Sequence, residues 1–383
     1  MKNSEPEKKV LAGLPLPELI ELLAPLPAFR AKQIFKWISR GALAFGEMTD
    51  LDKNLREDLD SRFSVRSSSV GAQLEDPGHN GKAGDGTVKL QISLYGGTKI
   101  EAVLLSDAEE RKTACISTQA GCPAGCVFCK TGSLGFSRNL NSAEIVEQFL
   151  HLKALAAAAN TDISNIVIMG MGEPLLNLSE LRRALAFLCD AEGLGISRRR
   201  ITVSTCGVIE GIRDLADKGP HIRLACSLTS ARQELRNRLM PIGKANPLPL
   251  LKKALAAYRQ KSGQRITLEA VLLGGINTTP ADAEAMIDFA RGLDAVINLI
   301  PWNPVEGMGF EGEPLREPSR AEVETFTAML EKGGLKVTRR YRKGRGVAGA
   351  CGQLGVLPEN PGQGRLKHPD AKAEDSPENV YPL

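Results

Sequence analysis

At 383 residues the chain is long enough for two or three folding units, and with 42% hydrophobic and 25% charged residues it has an ordinary globular composition. No run of about 18 apolar residues suggests a transmembrane helix, and the start Met1-Lys-Asn-Ser-Glu-Pro-Glu-Lys-Lys9 carries no apolar signal core. A net charge of +4 over this length identifies no nucleic-acid partner, and eight cysteines without a disulfide framework predict a cytoplasmic protein that uses thiols.

Residues 1–65 read as a small, separate helical domain. Leu16–Leu23 and Phe29–Ile38 carry apolar residues at helical spacing, broken by Pro25 and Pro27, and Thr49-Asp50 is a candidate cap for a helix through Leu55 and Leu59. Residues 66–110 change character. Thr87–Leu94 alternates apolar and polar, Tyr95-Gly96-Gly97 turns, and Lys99–Leu105 follows, which predicts a β-hairpin after a Gly- and Asp-rich loop at Pro77–Gly86.

Across residues 111–345 strands alternate with Ala- and Leu-rich helices. The expected strands are Ala114–Thr118, Asn165–Met169, Arg200–Ser204, Arg223–Leu228, Thr267–Leu273, Val296–Pro301 and Lys336–Arg340. Between them fall helices at Ala143–Ala158, Leu178–Ala191, Ile209–Asp217, Leu248–Gln260, Pro280–Arg291 and Arg320–Lys332. This order predicts an α/β fold with a parallel sheet closed fully or partly into a barrel, its functional groups at the C-terminal strand ends. Residues 346–357 form a Gly-rich loop around Cys351, and residues 358–383 a polar tail expected to be disordered.

The chemistry concentrates in Gly121-Cys-Pro-Ala-Gly-Cys-Val-Phe-Cys-Lys130. Cys122, Cys126 and Cys129 have the spacing C-x3-C-x2-C with no fourth cysteine close by. Three thiolates hold an iron–sulfur cluster by three corners and leave one iron open to a small ligand. Structural zinc is the rival reading, but it usually takes four ligands in spaced pairs, and neither a histidine nor a second Cys pair lies near. Phe128 would shield the cluster or touch its ligand.

The triad, with an aromatic residue before its third cysteine, resembles the radical S-adenosylmethionine (SAM) superfamily. The wider run Cys115 to Leu140 closely resembles the RlmN/Cfr family of radical SAM RNA adenine methyltransferases. So do Phe29-Arg30, Trp37, Met48-Thr49-Asp50, Gly170-Met-Gly-Glu-Pro-Leu-Leu-Asn177, Ser204-Thr205, Asn298–Pro304 and Ala350-Cys-Gly-Gln-Leu354. The resemblance implies a partial (βα)6-type TIM barrel, with the helical domain and the hairpin extension serving RNA docking. It implies one 4Fe-4S cluster on Cys122, Cys126 and Cys129, and two SAM molecules per turnover. SAM contacts fall on Gly172, Glu173, Ser204, Ser227, Leu228, Thr229 and Asn303. Thr229 stands where relatives often carry histidine, so only its backbone is expected to contribute.

By the same resemblance Cys351 carries a methyl group, Cys115 resolves the product through a transient disulfide, and Glu101 accepts a proton. From periodicity alone Cys115 reads as core and Glu101 as a solvent-facing strand residue. Cys351 sits in a loop too flexible to be core, and Arg342, Lys343 and Arg345 are placed to lower its thiol pKa if the loop folds back. Cys189, Cys206 and Cys226 read as core. Arg198-Arg199-Arg200 and the cluster Arg339–Arg345 are either solvated surface or phosphate contacts.

The implied activity is methylation of adenine C2 in 23S rRNA and tRNA, with C8 methylation of 23S rRNA as the alternative within the family. The implied partners are those RNAs and an electron donor such as flavodoxin; the enzyme is expected to be a monomer away from membranes. A glycyl-radical activase would share the cluster without needing Cys351, and a zinc-stabilised RNA-binding protein would need no iron.

Overall fold

A computed structural model describes residues 8–77, 84–107, 109, 111–339, 343–355 and 366–367. Its centre is one sheet in which strands follow chain order. Lys112–Cys115, Ile163–Ile168, Ile201–Thr205, Arg223–Ser227, Ile266–Leu272, Ala295–Pro301 and Lys336–Arg339 pair in parallel, each with its sequence neighbour. Among the described residues Lys336–Arg339 and Lys112–Cys115 are not paired with each other, so the barrel is partial and open on that side. The helices Ser142–Ala158, Leu178–Cys189, Ile209–Lys218, Leu248–Ser262, Pro280–Ala290 and Arg320–Lys332 fill the connections. Expected and observed strand bounds differ by at most three residues, because hydrogen bonding past a strand end continues in irregular form: Ile116 N still donates to Val167 O at 3.1 Å.

The hairpin is larger than its sequence signal. Val88–Ser93 and Lys99–Ser106 pair as expected, but Ser69–Glu75 adds a third antiparallel strand, and Lys99–Ser106 joins the barrel by pairing antiparallel with Lys112–Cys115. Ser69–Glu75 escapes detection because Gly71 sits at an irregularity between Val70 and Ala72, which breaks the period-2 pattern.

The N-terminal helices are Leu16–Leu22, Ala28–Arg40 and Lys53–Arg62. The last is capped by Asp52, which accepts from Leu55 N at 2.9 Å, and not by Thr49-Asp50; Asp50 instead accepts from Trp37 Nε1 at 2.5 Å. Nor does this unit stand apart. Phe35 and Phe187 are fully buried with ring centroids 4.7 Å apart, and Lys32 and Arg183 pair with Glu192 and Glu18 across the junction. Gly13 lies so close to the start of helix Ser142–Ala158 that a Cβ would fall 2.4 Å from Ser142 O. One continuous apolar core results. Among the described residues no helix is long and apolar enough to cross a membrane. Apart from the short strand Leu366–Lys367, the tail expected at 358–383 lies outside the described residues.

Candidate active site

The loops at the C-terminal ends of the barrel strands build the site. After Lys112–Cys115 the chain forms a short strand, Gln119–Gly121, which pairs antiparallel with Phe136–Asn139 and closes the loop that carries Cys122, Cys126 and Cys129. Gly121, at φ 77°, is required here: a Cβ would fall 2.0 Å from Gly135 O, and Cys122 N donates to that same oxygen at 2.8 Å. Val127 N bonds Leu239 O, and Trp302 Nε1 donates to Phe128 O at 2.9 Å.

The three thiols line one cavity of about 160 Å³, together with Phe128, Gly172, Glu173, Ser204, Ser227, Asn303 and Cys351. Leu228 and Thr229 are buried and do not line it. Thr229 holds φ 57°, its N donates to Glu269 O, and its O accepts from Asn277. Among the described residues no three His, Cys, Asp or Glu side chains converge on a point that would hold a single ion. The three thiols do share one cavity, as a cluster held by three thiolates needs. Burial pushes all three thiols up, Cys122 to about 12, and neighbouring thiolates add to the rise at Cys122 and Cys126. Metal binding must therefore displace their protons.

Glu173 follows Gly172, which holds φ 104° and presses on Gln119 so closely that a Cβ would meet its side chain at 2.6 Å. The Glu173 carboxylate accepts from Leu175 N at 3.0 Å on one oxygen and from Cys206 N at 2.7 Å on the other. Burial raises its pKa and these amide bonds oppose the rise. It is fixed between two loops, and each oxygen keeps a lone pair for an ammonium group. Asn303 donates to Cys351 O at 3.1 Å, while its buried Oδ1 has no protein partner.

Sequence reasoning missed three residues of this cavity region. Glu269 projects from Ile266–Leu272 and lies 3.3 Å from Ser204 Oγ and 3.2 Å from Asn298 Nδ2. Its signal was a carboxylate inside an apolar strand run, where parallel barrel strands are normally hydrophobic. Cys206, expected to be plain core, lines the cavity as well, whereas Cys226 is fully buried and Cys189 only half-buried. Arg236 is fully buried beneath the loops, donating to Leu228 O at 2.5 Å and Cys206 O at 2.6 Å.

A second cavity, of about 350 Å³, is lined by both Cys115 and Cys351 and shares Met169, Ile300, Asn303 and Cys351 with the first. Cys115 is buried in the core, yet faces this space. Arg339 and Lys343 also line it; the Lys343 ammonium donates to Ser106 O, Arg345 pairs with Glu317, and residues 340–342 lie outside the described residues. The Cys351 loop is anchored, contrary to its glycine-rich composition. Gly352 O accepts from Lys130 N at 2.7 Å, Leu354 O from Thr131 Oγ1 at 2.7 Å, and Gln353 Nε2 donates to Pro304 O at 2.9 Å.

Glu101 is not solvent-facing. It is buried, ion-paired with Lys89 at 3.0 Å, and accepts from Gly355 N at 2.7 Å. It lines a third cavity, of about 260 Å³, which neither Cys115 nor Cys351 lines. Burial raises its pKa and the Lys89 charge lowers it.

Comparison with known proteins identifies the chemistry. Residues 116–290 match the radical SAM superfamily, and residues 11–65 match the ribosomal RNA large subunit methyltransferase N-terminal domain. The chain is 49% identical over 349 residues to a protein of Treponema denticola named probable dual-specificity RNA methyltransferase RlmN, covering 91% of this chain and 96% of that one. A Thermus thermophilus protein of the same name is 38% identical over 348 residues, covering 91% and 94%. A crystal structure of a radical SAM methyltransferase from Sphaerobacter thermophilus superposes with a TM-score of 0.83 at 37% identity, covering 90% of this chain and 99% of that one. The chain belongs to the RlmN family, and is a radical SAM RNA methyltransferase that works with a 4Fe-4S cluster and SAM.

Proposed function

We propose that the enzyme methylates adenine C2 in 23S rRNA and tRNA through a methyl group carried on Cys351. The observation that carries this reading is the shared cavity: Cys351 lines both the space ringed by Cys122, Cys126 and Cys129 and the space lined by Cys115. The names of the relatives, dual-specificity RNA methyltransferases, support two RNA substrates.

When bound, the cluster and SAM supply a methyl group and, after reduction by a donor such as flavodoxin, a hydrogen-abstracting radical, so that one turnover uses two SAM molecules. Cys122, Cys126 and Cys129 hold the cluster. Gly172, Glu173, Ser204, Ser227 and Asn303 hold SAM, while Leu228 and Thr229, whose backbone groups are bonded within the protein, stay outside the cavity. Adenine C2 is neither nucleophilic nor acidic enough for polar methyl transfer, so the protein splits the reaction. The Cys351 sulfur takes a methyl, that methyl loses one hydrogen, its carbon bonds to the ring carbon, and the unpaired electron left on the ring would return to the bound cluster. Glu101 accepts the ring proton, which requires the Gly355 amide covering its carboxylate to move away. The Cys115 thiolate then attacks the Cys351 sulfur, breaking its bond to carbon, and the released methylene carbon takes up a proton to become the methyl group. A disulfide forms, and methylated RNA leaves. The target adenine must leave its stack to reach this cavity, and Arg339 and Lys343 are placed to neutralise phosphates beside it.

Mass-spectrometric analysis of digested RNA tests the regiochemistry: 2-methyladenosine is expected, and 8-methyladenosine in its place overturns the C2 assignment. Cys351→Ala is expected to abolish methylation, and Cys115→Ala to trap RNA covalently on the protein.

A further inference from the structure

Lys89 belongs to no motif, yet it is fully buried, on the hairpin strand Val88–Ser93. In the ladder it pairs with Val103, and Gln91 pairs with Glu101, so Lys89 and Glu101 are diagonal neighbours on one face. Its ammonium lies 3.0 Å from Glu101 Oε1 and donates to Ala348 O at 3.4 Å. The other Glu101 oxygen accepts from Gly355 N at 2.7 Å. Ala348 and Gly355 flank Cys351, so one buried ion pair grips both sides of the loop that carries it. Ala348 holds φ 47°, a conformation that side-chain-bearing residues avoid, and its neighbourhood must impose it. A pair of apolar residues in place of a buried ion pair generally serves a fold at least as well.

We propose that Lys89 is a positioning residue of this enzyme, holding the Cys351 loop in register through Ala348 and keeping the Glu101 carboxylate oriented and ionised. The inference deepens the reading given above and rests on it for the roles of Cys351 and Glu101. The titratable groups on the elements around Glu101 are Lys99 on its own strand, Lys89 on the preceding strand, Lys112 and Cys115 on the following one, Lys343, Arg345 and Cys351 on the loop, and Glu144, Glu147, His151 and Lys153 on helix Ser142–Ala158, which packs against its strand. Of these, Lys89 is the one that acts on its carboxyl, against the upward push of burial. Removing that charge raises the Glu101 pKa further. A base works only when deprotonated, so the acid limb of activity moves to higher pH.

The test compares Lys89→Met, Lys89→Arg and Glu101→Gln in the anaerobically purified, cluster-loaded enzyme. Amide exchange of residues 348–355, measured without RNA, is expected to quicken about tenfold or more in Lys89→Met. The acid limb of kcat/KM for RNA methylation is expected to rise by about one pH unit, with Lys89→Arg restoring both towards wild type. Unchanged loop exchange in folded Lys89→Met, or a rate loss equal at every pH, overturns the inference. Should the orphaned carboxylate prevent Lys89→Met from folding, the double variant Lys89→Met/Glu101→Gln buries no charge and still lacks the Ala348 bond. Fast loop exchange there supports the inference, and wild-type exchange overturns it. Full activity of Glu101→Gln defeats the proton-acceptor reading by itself, and loop exchange then still decides whether Lys89 holds the loop.

Discussion

Single residues in this site are chosen for backbone reasons as much as chemical ones. Gly172 combines φ 104° with a contact that leaves no room for a Cβ. Gly172→Ala is therefore expected to cost about 1–3 kcal/mol of stability and to weaken SAM binding, because the displaced backbone carries Glu173. Chemical denaturation and equilibrium dialysis with SAM check the two effects separately. Glu269 illustrates the complementary case. Glu269→Gln keeps the shape and removes the charge that faces Ser204 and Asn298. It is expected to weaken SAM binding while leaving iron content at the wild-type level, which dialysis and iron assay distinguish.

Elements meet through buried contacts that the linear pattern only half announces. Phe35, from helix Ala28–Arg40, packs against Phe187 of a barrel helix with the rings tilted by 56° and both side chains fully buried. Phe35→Ala is expected to lower stability by about 3–5 kcal/mol, read from urea midpoints. At the next junction Glu147, on helix Ser142–Ala158, accepts from the amides of Ser67 and Ser68, and His151 Nε2 lies 3.0 Å from Ser68 Oγ. Burial, helped by Arg66, depresses the His151 pKa to about 4 from 6.5. The native state thus binds fewer protons than the unfolded chain between these values, and stability falls as pH drops from about 6.5 to about 4. His151→Gln is expected to remove this part of the acid slope, at most roughly 3 kcal/mol, in denaturation curves taken at pH 7 and pH 4.5.

At the scale of the whole molecule, the cluster loop and the Cys351 loop form one body, joined by Lys130 N to Gly352 O and Thr131 Oγ1 to Leu354 O. Occupancy of the three thiols must then be felt at Cys351. Removing iron anaerobically, or replacing Cys122, Cys126 or Cys129 by alanine, is expected to lower the melting temperature and to quicken amide exchange at 343–355. Exchange unchanged after complete iron loss would break that link.

The three-cysteine spacing and the βα alternation were legible in the chain because they depend on local periodicity and short-range order, whereas Cys115, Glu101 and the SAM contacts were candidates only through the family resemblance. Cys122, Cys126 and Cys129 lie within eight positions, so their loop is local by necessity. What no linear pattern contained was the pairing of distant groups. Cys115 and Cys351 are separated by more than two hundred residues, and only the return of the chain across the open side of the barrel puts them in one cavity. The same return buries Lys89 and Glu101 beneath the Cys351 loop, where the strand pattern had placed Glu101 in solvent. Burial depends on what the rest of the chain lays over a residue, and electrostatics follows burial. The sequence by itself therefore determined which elements form and which thiols sit together; the tertiary structure alone decided which buried charges face them.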